Sequence, residues 1–171
     1  MSIHTGHPFA TDDPDPARRL RGRLGGAVTL WTTGTEDDRA GLTVTSVMVA
    51  LGPEPALLAL LDPDADFVER FRETRTAVVQ VLTWPDRQLA EAFAGTAPAP
   101  GGPFRQAAFE MTGHGPRLAT ATTWAEVTLA DEREVGWSVE VTAAIGETVL
   151  GDEEPLVHRR GRWVRPAGDV V

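Results

Sequence analysis

Alternation of apolar and polar positions is clearest from residue 41, in GLTVTSVMVA. Leu42, Val44, Ser46 and Met48 take one face, while Thr43, Thr45, Val47 and Val49 take the other. A period of two marks a strand with unlike faces, and here the second face carries hydroxyls before it turns apolar. ALLALL at 56–61 is apolar on both faces and lies between Pro55 and Pro63. A run this short suits a central barrel strand better than a globular helix. From residue 62 the spacing becomes helical: Phe67 and Phe71 fall four apart on one stripe, Asp62 is placed to cap, and Pro63 takes the first helical position.

Upstream, AVTLWTT at 27–33 predicts a strand and GTEDDRA at 34–40 a turn, so the first unit is an antiparallel hairpin. TAVVQVL at 76–82 predicts another strand, and 86–94 a helix with Leu89, Ala90 and Phe93 inward, closed by Gly95. APAPGGP at 97–103, with the following 104–115, has the character of a lid over a site. Two long strand-like runs, 118–131 and 135–150, meet in a turn at Glu132-Arg133-Glu134; a closing hairpin pairs 155–158 with 162–164 around Arg159-Arg160-Gly161. Six or seven strands with two short helices predict a mainly β chain, a closed or split antiparallel barrel and not a βαβ fold. The domain reading is a flexible tail over 1–20, a folded domain over 21–166 and a second tail over 167–171. ARRLRGRL at 17–24 has the composition of a short basic helix leading into the fold, its arginines forming a solvated face.

The chain has 171 residues, 42% of them hydrophobic, enough for one domain with a sizeable core. A formal charge of −9 and a pI near 4.9 argue against nucleic acid or an anionic membrane as partner. All sixteen basic residues are arginine, which excludes Schiff-base chemistry, P-loop nucleotide binding and a lysine general base. Cysteine and tyrosine are absent. Of the four histidines, His4, His7, His114 and His158, the first two lie in a polar, proline-rich start that reads as a tail in preference to a metal-binding pair, and there is no H-E-x-x-H pattern, so no metal site is expected. No apolar run approaches the length of a membrane span and no leader pattern stands at the start; a cytoplasmic protein is the expectation.

In this order the segments GLTVTS at 41–46, TAVVQVL at 76–82, QLAEAFAG at 88–95, Ile145-Gly146-Glu147, Pro155-Leu156-Val157 and RGRW at 160–163 resemble the flavin reductase-like, FMN-binding split-barrel family. The resemblance runs from about residue 26 to residue 163. It implies that Thr43, Val44, Thr45 and Ser46 line an isoalloxazine ring, and that the turn of Leu61, Asp62, Pro63, Asp64, Asp66 and Phe67 lies by the flavin phosphate. A helix N-terminus suits an anion, but relatives usually carry Ser, Thr, Arg or Lys where this chain has three aspartates. Phe104 and Arg105 are the lid's candidate contacts. His158 stands where relatives carry Tyr-His, at the nicotinamide end or as a hydrogen-bonded strand residue, and Trp137 is read as filling the barrel.

The function implied is NAD(P)H-dependent reduction of FMN, with FAD as the other choice of flavin, supplying reduced flavin to a partner monooxygenase from a homodimer. No catalytic side chain is required, because the cofactors carry the reactivity. Two alternatives stay open: a barrel that has lost FMN and serves as a binding module, or a deazaflavin-binding protein with an arginine-lined groove for that cofactor's acidic tail.

Overall fold

The computed structural model describes residues 15–165. The predicted tails therefore lie largely outside the described residues, as do His4 and His7. Helix α1 (Pro16–Leu24) is capped by Asp15, whose Oδ1 accepts from the N–H groups of Ala17 and Arg18, and it takes in the last residues of the predicted N-terminal tail. Strands β1 (Gly26–Ala27), β2 (Thr29–Gly34), β3 (Arg39–Val44), β4 (Val47–Ala50) and β5 (Ala56–Leu61) follow. Then come α2 (Asp66–Thr74), β6 (Thr76–Val81) and α3 (Arg87–Ala94), the last ending on Gly95 in the left-handed conformation. A hairpin of β7 (Phe109–Thr112) and β8 (Gly115–Leu118) precedes two long strands, β9 (Trp124–Val135) and β10 (Ser138–Val149). The chain closes with β11 (Val157–Arg159) and β12 (Arg162–Val164).

A seven-stranded antiparallel sheet runs in the order β3-β2-β6-β9-β10-β5-β4. Its two edges are β3 and β4, which are neighbours in the chain, separated only by Thr45 and Ser46. The sheet must therefore curl until its edges meet, and the Leu60 N–H donates to the Ser46 carbonyl at 3.1 Å where they do. This seam is the split of a split barrel. A small sheet of β1, β11 and β12 stands beside it.

Trp31, Phe67 and Phe71 fill the barrel, with Phe67 stacked on Phe71 at 5.3 Å and Trp31 edge-on to both at 6.2 Å. On the other face of the sheet, Leu30 of β2 and Val28 just before it pack with Leu82, Phe93, Leu118 and Leu156. Gln80 is buried between these layers without penalty: its amide donates to Leu30 O and Thr32 Oγ1, and its Oε1 accepts from the Leu118 N–H.

Several sequence expectations are corrected. The single strand expected over 41–49 is two strands, broken at Thr45-Ser46, because one straight strand could not serve both edges of the sheet. Strand β5 lies one place in from an edge instead of at the centre. Asp62 does not cap α2: its Oδ1 accepts from the Asp64 N–H at 2.9 Å and its carbonyl from the Ala65 N–H at 3.1 Å, so a turn is completed first and Ala65 becomes the N-cap. The segment 104–115 contains most of the β7–β8 hairpin, whose Thr112-Gly113-His114-Gly115 turn was read as irregular loop. The β9–β10 turn is at Gly136-Trp137, not at 132–134, since Arg133 and Glu140 pair across an arm that extends into solvent, where charge is no obstacle to a strand. Trp137 stands at its tip, 91% exposed, and does not fill the barrel. Twelve strands occur among the described residues, more than expected, because several are only two to four residues long.

Candidate functional site

An open groove of about 1240 Å³ runs along the seam to the closing hairpin. Its floor is Thr43, Thr45 and Ser46 at the strand break, with Met48 of β4 and Leu58 and Leu60 of β5. The double-sided apolarity of ALLALL is thereby explained: Leu57, Ala59 and Leu61 point into the core, and the alternate leucines line the groove. One wall is Arg21, Leu24 and Gly25, the end of α1, together with His158, Gly161 and Trp163. Glu91, Ala94 and Thr96 at the end of α3 form the other.

The break is held close against β1. A Cβ on Gly26 would stand 2.6 Å from the Thr45 carbonyl oxygen, so only glycine lets the two backbones approach this far. Thr43 Oγ1 donates to the Ala90 carbonyl at 2.7 Å and is committed to holding α3 on the sheet. The hydroxyls of Thr45 and Ser46 have no hydrogen-bond partner among the described residues, and both residues line the groove. Hydroxyls left open beside an apolar floor suit a planar heteroaromatic ring with polar edges.

At the far end, the His158 ring lies 4.9 Å from that of Trp163, and Trp163 Nε1 donates to Glu91 Oε1 at 2.8 Å. Burial pushes the His158 imidazole below its usual range, and the nearby Arg21 guanidinium adds to the shift, so the ring is neutral near pH 7.

Of the sequence-derived candidates, Thr43, Thr45, Ser46 and His158 come together in this groove. Val44, Leu61 and Phe67 have their side chains in the barrel core. Asp62, Pro63 and Asp64 stand on an exposed turn and Asp66 opens α2, all outside the groove lining. Phe104 packs edge-on against Phe93 and Phe109 at 4.9 Å each, under the Arg39 guanidinium, and Arg105 folds its stem against Gly101; neither lines the groove. The groove also contains residues that sequence reasoning missed, notably Arg21, Leu58, Leu60, Glu91 and Trp163. The alternation within ALLALL and the hairpin pairing of His158 with Trp163 were the signals available. Among the described residues no cluster of His, Asp and Glu could hold a metal ion, and no helix is long and apolar enough to cross a membrane.

The chain is thus a split-barrel β protein with an open groove along its seam, and comparison with known proteins narrows the class. The family model for the flavin reductase like domain matches residues 21–166. The reductase component of 4-nitrophenol 4-monooxygenase/4-nitrocatechol 2-monooxygenase from Rhodococcus opacus is 27% identical over 147 residues, covering 85% of this chain and 77% of that protein. Among solved structures, an NADH:FAD oxidoreductase of Streptomyces globisporus, in complex with NAD and FAD fragments, superposes with a TM-score of 0.81 at 22% identity, covering 91% of this chain and 93% of that one. The styrene monooxygenase flavin reductase of Pseudomonas putida S12 gives 0.74 at 19% identity, covering 86% and 95%. The chain belongs to the flavin reductase like domain family and is a flavin oxidoreductase.

Proposed function

We propose that the groove holds the isoalloxazine of FMN or FAD over the Thr45-Ser46 break, with the nicotinamide of NADH or NADPH in the remaining space. The observation that carries this reading is the pair of open hydroxyls beside the apolar floor of Leu58 and Leu60. Bound there, a flavin supplies the hydride-transfer chemistry. The chain supplies position: Thr45 and Ser46 hydrogen-bond the polar ring edge, and the leucines and Met48 exclude water from the ring face. Pockets that bury one drug-sized ligand measure about 300–1,000 Å³, so a groove of about 1240 Å³ has room for two ring systems together.

Exposed Leu24, Met48, Leu60 and Val135 line or rim the groove, which supports a homodimer that covers it. The name of the Rhodococcus opacus relative supports delivery of reduced flavin to a partner monooxygenase. A cytoplasmic location accords with that role. Arg21 gives the deazaflavin alternative its one specific support.

The test is titration of the protein with FMN, FAD and deazaflavin by absorption, together with oxidation of NADH and NADPH followed with and without each. Flavin-dependent oxidation is expected. Oxidation with deazaflavin alone moves the assignment to that cofactor, and oxidation with none of them refutes the reading.

A further inference from the structure

We infer that the arginine-rich end of the groove, where α1 meets the closing hairpin, binds the pyrophosphate of an adenine dinucleotide. The inference rests on the reading of the groove as a flavin and nicotinamide site, and it says where the anionic half of such a ligand is held.

Helix α1 carries Arg18, Arg19, Arg21 and Arg23. The hairpin and its exit carry Arg159, Arg160, Arg162 and Arg165. These two short stretches hold half of the chain's sixteen basic residues, and neither ARRLRGRL nor RRGRWVR contains a carboxylate. They are far apart in sequence but touch in the fold. The Arg160 N–H donates to the Gly22 carbonyl at 2.8 Å, and the Arg159 stem lies against Gly25, where an added Cβ would meet its Cγ at 3.3 Å. Arg21 is itself part of the groove wall and close enough to His158 to act on its ionisation.

A merely solvated face would mix its charges, as this protein does elsewhere. Arg70 pairs with Asp38 and Glu73, Arg72 with Glu132, Arg117 with Glu110, and Arg133 with Glu140. By contrast, among the described residues no carboxylate pairs with Arg19, Arg21, Arg23, Arg159, Arg160 or Arg162. The acidic groups in the groove lining are already engaged: Glu91 by Trp163, Glu140 by Arg133. Like charges gathered at one edge repel one another, and the repulsion is relieved when a multiply charged anion binds. In a chain of formal charge −9, so local a concentration is the reverse of the average.

The hairpin turn adds an independent sign. Arg160 has φ 53° and Gly161 φ 74°, the two-residue turn that favours Asn-Gly, and an arginine in the left-handed region is strained relative to Asn or Gly. Meanwhile Asp62, Asp64 and Asp66 occupy the turn where the family resemblance implies the flavin phosphate, outside the groove lining. The cations available to an anionic ligand therefore stand at the α1 end of the groove, where Arg21 can form charge-assisted bonds to phosphate oxygens with Arg159 and Arg160 adding to the field.

The probe is ADP-ribose, which has the adenosine pyrophosphate shared by nicotinamide and flavin dinucleotides but neither redox ring. Calorimetric titration of the full chain is expected to show binding that weakens with salt, about tenfold weaker in Arg21→Gln/Arg159→Gln and partly restored in Arg21→Lys/Arg159→Lys. Riboflavin, which lacks phosphate, is expected to bind wild type and variant alike, with thermal midpoints unchanged. Competition distinguishes the sources: displacement of ADP-ribose by NADH at stoichiometric concentration assigns the site to the nicotinamide dinucleotide, and displacement by FAD assigns it to the flavin. Equal ADP-ribose affinity in wild type and the glutamine variant overturns the inference. So does an equal loss of riboflavin binding, and so does a variant defective only in transfer to an acidic monooxygenase. Failure of wild type to bind riboflavin would refute the flavin reading while leaving the ADP-ribose result to be judged separately.

Discussion

Trp163 and Glu91 join the two walls of the groove, the indole Nε1 donating to Glu91 Oε1 at 2.8 Å from a hairpin that shares no sheet with the barrel. Glu91→Ala removes the indole's partner and unties the closing hairpin from α3. A partly buried bond to a charged acceptor suggests a loss of about 1 kcal/mol in urea unfolding. Glu91→Gln keeps an acceptor and should recover most of it. Equal stability of all three proteins would show the bond to be incidental.

Thr45→Val and Ser46→Ala each remove a hydroxyl that no described residue engages. Folding loses nothing by this, whereas a flavin ring held there loses a neutral hydrogen bond of about 0.5–1.5 kcal/mol, or roughly threefold to tenfold in affinity. Fluorescence titration paired with thermal melts checks it. Variants that melt early and bind normally would reassign both hydroxyls to structure.

The acidic turn acts at a distance. Arg70 and Arg72, the cations nearest it in sequence, are occupied by Asp38, Glu73 and Glu132, so they do not neutralise it. In Asp64→Ser/Asp66→Thr, FMN affinity should rise about twofold to threefold at low ionic strength, and the gain should fade as the screening length shortens to about 8 Å near 0.15 M salt. Riboflavin affinity should not change. A salt-independent gain shared by both ligands would point to altered shape instead of charge.

His158 makes stability depend on pH. Its folded-state pKa lies below the ordinary value of 6.5, chiefly through burial, so between the two values the unfolded chain binds more protons and stability rises with pH. The contribution is complete above about 6.5 and is lost as pH falls through the folded value. His158→Gln should flatten this part of the stability profile, measured by urea midpoints from mildly acidic to neutral pH. An unchanged slope would assign it to other groups.

Much of the architecture was legible because strands announce themselves by a period of two. The hydroxyl row of Thr43 and Thr45 pointed to a polar-facing surface before any topology was known, whereas the second apolar face of Leu58 and Leu60 was read as the mark of a central strand and not as a groove floor. What could not be read was closure. No local pattern says that β3 and β4 are opposite edges of one sheet, nor that α1 reaches the closing hairpin, so Arg21 was assigned to solvent. Trp137 misled because an indole is more often core than tip, and Asp62 because a residue able to cap a helix can equally close its own turn.

The seam also bears on which parts of the fold open first. Strands β3 and β4 each pair on one side only within the sheet, and the backbone between them departs from the ladder at Thr45-Ser46. Such edges exchange their amide hydrogens by small local openings, well below the cost of global unfolding. A ligand lying across Thr45 and Ser46 touches both edges at once, so its arrival should slow deuterium uptake in two strands that lie at opposite ends of the strand order, leaving the already protected β6 and β9 unchanged.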